Sequence, residues 1–235
     1  MKKPIVFILI YILCMAVYGQ QKSFVFDFKG EMGYLVYTPQ EYGLVPNQQW
    51  PLMIFLHGAG ERGDDIERVK MHGPPKIAAT QPNFPFVVVS PQCAAADWWT
   101  DDLYIKKLNK LLDLIIANYK VDTDRVYLTG LSMGGYGTWK WSAKNPERFA
   151  AILPICGGGD PETVKSIKDM PAWVFHGAKD DVVPLAKSEE MVEALKQWGN
   201  TAKFTVYPDA EHDSWTETYN NPEVYQWLLQ HKKRR

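Results

Sequence analysis

The sequence has little cysteine and almost no net charge. Its 26 lysines and arginines nearly balance 27 aspartates and glutamates, and its one basic run is the C-terminal 232–235. Nucleic-acid-binding proteins usually carry a clear basic excess, so we expect no nucleic-acid partner. Outside an N-terminal apolar stretch the cysteines are Cys93 and Cys156. An oxidising compartment would permit a disulfide between them, but two separate buried thiols are the favoured interpretation.

The sequence also lacks an apolar run that could cross a bilayer. The longest, 5–17, has about 13 residues, against the roughly 20 that a transmembrane helix needs. Lysines precede this run and the small Gly19 follows it, which is the arrangement of an export signal. We expect residues 1–19 to be a cleaved signal peptide, leaving no stable membrane span in a secreted or periplasmic protein. A retained anchor is one alternative, and a lipoprotein at Cys14 is another, which the bulky Leu13 disfavours.

Neither a repeat nor a linker divides residues 20–235, which predicts one domain. Aromatic-rich runs at 24–28 and 33–38 surround a glycine and predict an antiparallel hairpin. Continuously apolar runs then alternate with helical patterns, which predicts a mainly parallel, doubly wound α/β sheet without a separate lid. The predicted strands are 52–56, 86–90, 126–129, 151–155, 173–175 and 203–207. The predicted helices are 102–119, 136–143, 188–198 with Ser188 as N-cap, and 222–229 with Asn221 as N-cap.

The motif with the strongest chemical meaning is Gly-Leu-Ser-Met-Gly-Gly at 130–135. It follows a predicted strand and precedes a predicted helix. A serine presented on such a sharp turn has a strained backbone, and glycines two residues to either side remove side chains that would collide there. We therefore predict that Ser132 is a nucleophile, with a tight structural turn as the alternative. The helix start would direct the Met133 amide at negative charge forming beside Ser132.

A serine hydroxyl needs an oriented general base, which histidine most often supplies. After a strand-turn-helix nucleophile of this kind, the base follows the serine along the chain. His176 ends a buried strand, and His231 lies in the charged tail. His212 follows the last predicted strand, on a loop from which its ring can reach the carboxyl ends of the strands. His212 is therefore the predicted base.

The segment His-Gly-Ala-Gly at 57–60 closes the first central strand. Acyl transfer requires two amides aimed at the developing oxyanion, and glycines allow a backbone to approach a substrate. We expect the Ala59 amide to act with that of Met133, with Gly60 as the alternative. His57 is expected to hold this loop by side-chain hydrogen bonds.

Together these segments resemble the small α/β-hydrolase carboxylesterases, including polyhydroxybutyrate depolymerase-like and feruloyl or acetyl-xylan esterase-like members. The resemblance implies the α/β-hydrolase fold and a serine esterase that works through an acyl-enzyme, without a metal or an organic cofactor. Its partner would be a small-molecule or polysaccharide-linked ester, with acetyl and feruloyl esters of plant polysaccharide as candidates; the oligomeric state is left open. The matching segments are 56–63, 90–93, 127–137, 154–159 and 212–215.

The resemblance also implies an acid and a substrate surface. The family pattern Asp-x-x-Val-Pro corresponds to Asp180, with Asp181 as the alternative. Aromatic walls near the carboxyl ends of strands suit a sugar ring or a phenolic acyl group. Core packing is the equal alternative for these aromatic residues. The candidate substrate-binding residues are Trp98, Trp99 and Trp215.

Three other functions fit parts of this pattern. A serine peptidase of prolyl-oligopeptidase type shares the turn and the order of catalytic residues, but the chain has no room for the propeller that those enzymes usually carry. A lipase would need an amphipathic lid segment, and none is evident. A noncatalytic binding module predicts the loss of a catalytic residue, whereas serine, acid and histidine candidates all stand in order.

Overall fold

The computed structural model describes residues 19–81 and 83–233. The predicted signal peptide at 1–19 lies outside the described residues except for Gly19, so it stays a prediction. Among the described helices, none has both the length and the apolar content that a membrane crossing requires.

Eight strands form one mixed sheet within the described part of the chain. They are β1 Gln20–Asp27, β2 Glu31–Thr38, β3 Trp50–Leu56, β4 Val87–Pro91, β5 Val121–Leu131, β6 Ala151–Ile155, β7 Trp173–Gly177 and β8 Lys203–Tyr207. Their order is β1-β2-β4-β3-β5-β6-β7-β8. The hairpin β1–β2 and the pair β2–β4 are antiparallel, and the other pairs are parallel. The predicted α/β sheet with an N-terminal hairpin is therefore confirmed.

The central strands are mainly apolar and buried along their whole length, since helices cover both faces of the sheet. Every residue of β3, β4, β6 and β7 is buried. Such strands show no alternation of polar and apolar residues, which is the pattern that identified them in the sequence. Two hydrophobic clusters, one on each face, contain the buried side chains.

Six α-helices pack on this sheet in the described residues. They are α1 Gly73–Thr80, α2 Asp102–Asn118, α3 Met133–Lys144, α4 Ala186–Gln197, α5 Trp215–Asn220 and α6 Pro222–Leu229. The predicted bounds of α6 are confirmed, and the Asn221 side chain accepts the N–H of Glu223 as its cap. The prediction that Ser188 caps α4 is wrong. Leu185 holds the cap position, and the Ser188 side chain is buried under the helix.

The parallel strands direct their carboxyl ends to one edge of the sheet. Loops that follow β3, β5, β7 and β8 meet at this edge, as in other open α/β sheets. These four loops carry the 57–60 segment, Ser132, Asp180 and His212. The topology thus gathers residues that lie far apart in the sequence.

Candidate active site

Ser132 occupies the sharp turn between β5 and α3. Its φ of 52° and ψ of −116° lie in a region that residues with a side chain rarely adopt. A Cβ added to Gly130 would collide with the carbonyl group of Gly134, and one added to Gly134 would collide with the carbonyl oxygen of Leu56. The two glycines flanking the serine are therefore required by space, which is the reason the sequence argument gave for them.

Three side chains singled out in the sequence lie in one hydrogen-bonded row. Nε2 of His212 is 3.0 Å from Oγ of Ser132, and Nδ1 of His212 is 2.8 Å from Oδ2 of Asp180. A carboxylate only accepts hydrogen bonds, so Nδ1 carries the proton and Nε2 is left as the acceptor. The His212 side chain is 20% exposed and Ser132 is partly exposed, so solvent reaches the outer end of the row. This arrangement can pass a proton from Ser132 to His212.

Asp180 lies on the loop after β7 and is held from several sides. Its Oδ1 accepts the backbone N–H groups of Val182 at 3.0 Å and Val183 at 2.8 Å, while Oδ2 faces His212. Its side chain is wholly buried, whereas Asp181 is exposed. Of the two acids left open by the sequence, the structure brings Asp180 to the histidine.

His176, which ends a buried strand and is not the predicted base, contacts the side of Asp180 in the protein interior. Its Nε2 is 2.8 Å from the carbonyl oxygen of Val183 and 3.2 Å from Oδ2 of Asp180, and both side chains are wholly buried. Its Nδ1 is 2.7 Å from Oγ of Ser188, whose hydroxyl donates to the carbonyl of Gly157. These contacts tie β7 to α4 and restrain the loop that holds the acid. The sequence signal that could have indicated this contact is the spacing of four residues between His176, at the end of a strand, and Asp180, in the loop that follows.

The completely buried His57 holds the 57–60 loop in place by hydrogen bonds of its ring. Its Nε2 accepts the N–H of Cys93 at 3.0 Å, so Nδ1 carries the proton and donates to the carbonyl of Gly58 at 2.6 Å. Burial, opposed by the bond to Gly58, lowers the pKa of His57 to about 4. The ring is therefore neutral near pH 7 and can make both hydrogen bonds, in accord with the structural role expected for it.

Two arginines that the sequence argument missed brace the same loop. Nε of Arg62 donates to the carbonyl of Ala59 at 3.1 Å, and the Arg68 guanidinium donates to the carbonyl of Gly60 at 2.6 Å. Ala59 starts a 3₁₀ turn and Met133 starts α3. The first amides of a helical turn are not used by its own hydrogen bonds, so these two amides suit an oxyanion.

The three candidate substrate-binding tryptophans have different positions. Trp99 is completely buried, and its indole N–H donates to the carbonyl of His57 at 2.9 Å. The expectation that Trp99 contacts substrate is wrong, because the ring supports the loop from below. Trp98 is 46% exposed beneath the Arg62 guanidinium, and Trp215 packs edge-on against the His212 ring at 5.2 Å. These two remain candidates.

Cys156, directly after β6, lies beside the hydrogen-bonded row. Its sulfur and the ligand atoms of Asp180 and His212 lie within 4.8 Å of one another, a spacing that a metal ion can use. Burial raises the pKa of the Cys156 thiol to about 12, and a neutral thiol is a poor ligand, so the set does not favour a metal. Cys93 and Cys156 are both free and buried, which confirms the two separate thiols favoured from the sequence.

Comparison with curated proteins finds relatives that are named as esterases or depolymerases. A bifunctional acetylxylan esterase/xylanase of Neocallimastix patriciarum is 27% identical over 213 residues, which are 86% of this chain and 29% of that protein. Poly(3-hydroxyalkanoate) depolymerase C of Paucimonas lemoignei is 41% identical over 51 residues, which are 22% of this chain and 12% of that protein. The chain thus spans less than a third of the length of these two relatives.

Solved structures and a family match agree with the fold. A thermostable esterase is 34% identical with a TM-score of 0.79, over 91% of this chain and 63% of that one. A ferulic acid esterase is 18% identical with a TM-score of 0.70, over 90% of this chain and 97% of that one. The expected resemblance to esterases of the α/β-hydrolase type is confirmed. Residues 94–226, more than half of the chain, match the dienelactone hydrolase family, and the chain belongs to that family.

Proposed function

We propose that the protein is an exported serine carboxylesterase in which Ser132 is the nucleophile, His212 the general base and Asp180 the orienting acid. The observation that carries the proposal is the unbroken row of hydrogen bonds from Asp180 Oδ2 through both ring nitrogens of His212 to Ser132 Oγ. The strained backbone of Ser132 supports it, because such strain persists at sites where it serves function.

In the first step, Ser132 Oγ attacks the carbonyl carbon of an ester while His212 Nε2 accepts the hydroxyl proton. The carbonyl oxygen becomes an oxyanion, which the amides of Ala59 and Met133 stabilise. When this intermediate collapses, the bond to the alcohol oxygen breaks and His212 returns the proton to that oxygen. The alcohol departs and the acyl group stays on Ser132.

In the second step, water repeats the attack on the acyl-enzyme. His212 Nε2 accepts a proton from the water, and a second oxyanion forms in the same place. Collapse breaks the bond to Ser132 Oγ, which regains its proton from His212, and the carboxylic acid leaves. The Asp180 carboxylate stabilises the imidazolium that forms twice in each cycle.

The proposed substrates are esters that link acetyl or feruloyl groups to plant polysaccharide. The curated relative named as an acetylxylan esterase/xylanase supports this class, and the half-buried aromatic Trp215 beside His212 suits a sugar ring or a phenolic group. Export is proposed from the charged and then apolar sequence of residues 1–19. N-terminal sequencing of protein recovered from the medium or the periplasm tests the export proposal, with Gln20 expected as the first residue.

Labelling with a fluorophosphonate probe tests the nucleophile. Stoichiometric labelling of the wild-type chain, lost in folded Ser132→Ala, is the expected result. Absence of labelling in well-folded wild-type protein would contradict the proposal and would favour a noncatalytic binding module. Cleavage of aminoacyl anilides in preference to acetyl or feruloyl esters would favour a serine peptidase instead.

Paired substitutions test the other two residues. His212→Ala should lower ester turnover by about 10³-fold or more, as loss of a general base does. Asp180→Asn should cost far more activity than Asp181→Asn, because only Asp180 bonds to the ring. A larger loss from Asp181→Asn would move the acid to that position.

A further inference from the structure

Glu61 has a mostly buried side chain, and no described residue donates a hydrogen bond to its carboxylate. Its side chain is 12% exposed, and its contact in the described part of the chain is Nε2 of His72, 3.8 Å from Oε1. That separation is too long for a hydrogen bond. Burying most of a carboxylate without supplying donors costs free energy, so hydrogen-bond donors on a ligand would stabilise this group.

Glu61 lies next to the elements that surround Ser132. A Cβ placed on Gly58 would lie 3.2 Å from Oε2 of Glu61 and 2.7 Å from the side chain of Leu131, the residue before the serine. Glu61 also ends the short 3₁₀ turn that Ala59 begins. The unpartnered carboxylate therefore stands beside the loop that would hold the oxyanion.

Glu61 is also connected to the proposed base by a series of side-chain contacts. Glu61 is next to His72, and the His72 ring lies 5.6 Å from the Trp215 ring. The Trp215 ring lies 5.2 Å from the His212 ring. The His72 side chain is 30% exposed, so a ligand in solution can reach it. Glu61, His72 and Trp215 form a wall that starts at the proposed base, which we call the His72 wall.

The position of the His72 wall assigns it to one half of the substrate. The alcohol oxygen must lie at Nε2 of His212 to receive its proton, whereas the carbonyl oxygen faces the amides of Ala59 and Met133. Trp215 packs on His212, so an alcohol half that extends from Nε2 across the Trp215 ring would lie along the wall.

We propose that Glu61 and His72 bind hydroxyl groups on the alcohol half of the substrate, and that they make the enzyme selective for esters of polyhydroxylic alcohols such as sugars. This inference rests on the proposed esterase function and deepens it. A carboxylate accepts hydroxyl protons, an imidazole can donate or accept, and an indole covers the apolar face of a sugar ring. Substrate hydroxyls would supply the donors that Glu61 lacks.

A cationic ligand is a less suitable partner for the same carboxylate. The guanidinium groups of Arg62 and Arg68 donate to the carbonyls of Ala59 and Gly60, in the loop that ends at Glu61. Their positive charges offset part of the attraction between Glu61 and an ammonium group, whereas they leave the binding of neutral hydroxyl groups unopposed. The chemistry of the His72 wall therefore favours a polyol over an amine.

The test compares two acetate esters that differ in the alcohol. Monoacetylated xylobiose carries hydroxyl groups and butyl acetate does not, while the acyl chemistry is the same. Wild-type kcat/KM should be higher for the sugar ester. Glu61→Gln should lower kcat/KM for the sugar ester about tenfold, the effect of losing one charge-assisted hydrogen bond, and should change that for butyl acetate less than about twofold. Glu67→Gln is the matched control, because Glu67 is exposed and paired with Lys70, and it should change neither.

An equal loss on both esters in Glu61→Gln, or no loss on either, would overturn the inference. Should Glu61→Gln fail to fold, inhibition by xylobiose provides an independent measurement. Xylobiose should inhibit butyl acetate hydrolysis competitively in the wild type, and His72→Phe should weaken that inhibition about tenfold. Unchanged inhibition would refute the proposal that the His72 wall binds sugar hydroxyl groups. If wild-type protein cleaves butyl acetate without preferring the sugar ester, this inference fails alone; if it cleaves neither ester, the proposed function fails with it.

Discussion

Acidification should destabilise the protein through the buried His57. The pKa of this ring is lowered to about 4, mainly by burial, from an ordinary value of 6.5. Between these values the unfolded chain binds a proton that the folded protein does not. The free energy of unfolding therefore falls as the pH falls from about 6.5 to about 4, and the contribution is fully present above that window. A difference of about 2.5 pKa units corresponds to about 3 kcal/mol.

Urea unfolding at pH 7 and pH 4.5 measures this effect. His57→Gln replaces the ring with a side chain that does not titrate, and its amide can still accept the N–H of Cys93. The free energy of unfolding of each protein should fall from pH 7 to pH 4.5. The fall in His57→Gln should be smaller than the fall in the wild type by about 2 to 3 kcal/mol. Because the comparison is made within each protein, a general loss of stability from the substitution cancels.

His72→Gln is the matched control for this experiment. It makes the same substitution at a side chain that is 30% exposed, so it provides the reference fall in the free energy of unfolding for a protein that has lost one histidine. His231, whose pKa is also lowered by burial, remains in all three proteins and does not affect the difference. Equal acid sensitivity in wild type and His57→Gln would refute the argument that burial keeps His57 neutral in the folded state.

The crowding and support of the turn lead to two further predictions, both measured as free energies of unfolding. Gly134→Ala should destabilise the protein by about 3 kcal/mol or more, because its Cβ would meet the backbone of β3. Gly60→Ala, where a Cβ meets open space, should change stability by less than about 1 kcal/mol; similar values for both would contradict the steric argument. Trp99→Phe should cost about 1 to 3 kcal/mol because it leaves the buried carbonyl of His57 without its donor, whereas the exposed Trp98→Phe should cost less than about 0.5 kcal/mol.

Local sequence patterns were sufficient for several strands and for the last helix. The strands predicted at 151–155 and 203–207 and the helix predicted at 222–229 have the observed bounds. Each carries its signal within a few residues, as an apolar run between turn residues or as a cap followed by proline. Helices α1 and α5, with eight and six residues, hold too little periodicity to identify a helix, and no capping side chain marks their start as Asn221 marks the equally short α6.

Contacts between distant segments could not be read in the same way. Ser188 has the residue type and position of a helix cap, yet its hydroxyl bonds to His176 on β7 and to Gly157 after β6. Trp98 and Trp99 are neighbours in a loop whose sequence does not indicate which side chain is buried. Trp98 is 46% exposed, and Trp99 is completely buried. Which of two adjacent side chains points inward depends on segments that pack there from elsewhere in the chain.

The sequence by itself determined the alternation of strands and helices and the glycine-flanked turn at Ser132, because both depend on the residues within one element. The tertiary structure brought Asp180 rather than Asp181 to His212, buried Trp99, and placed His176 and Glu61 beside the candidate site. These outcomes depend on how the loops after β3, β5, β7 and β8 meet at one edge of the sheet. His212 is 32 positions from Asp180 and 80 positions from Ser132, and the hydrogen bonds between them form only once that sheet has formed.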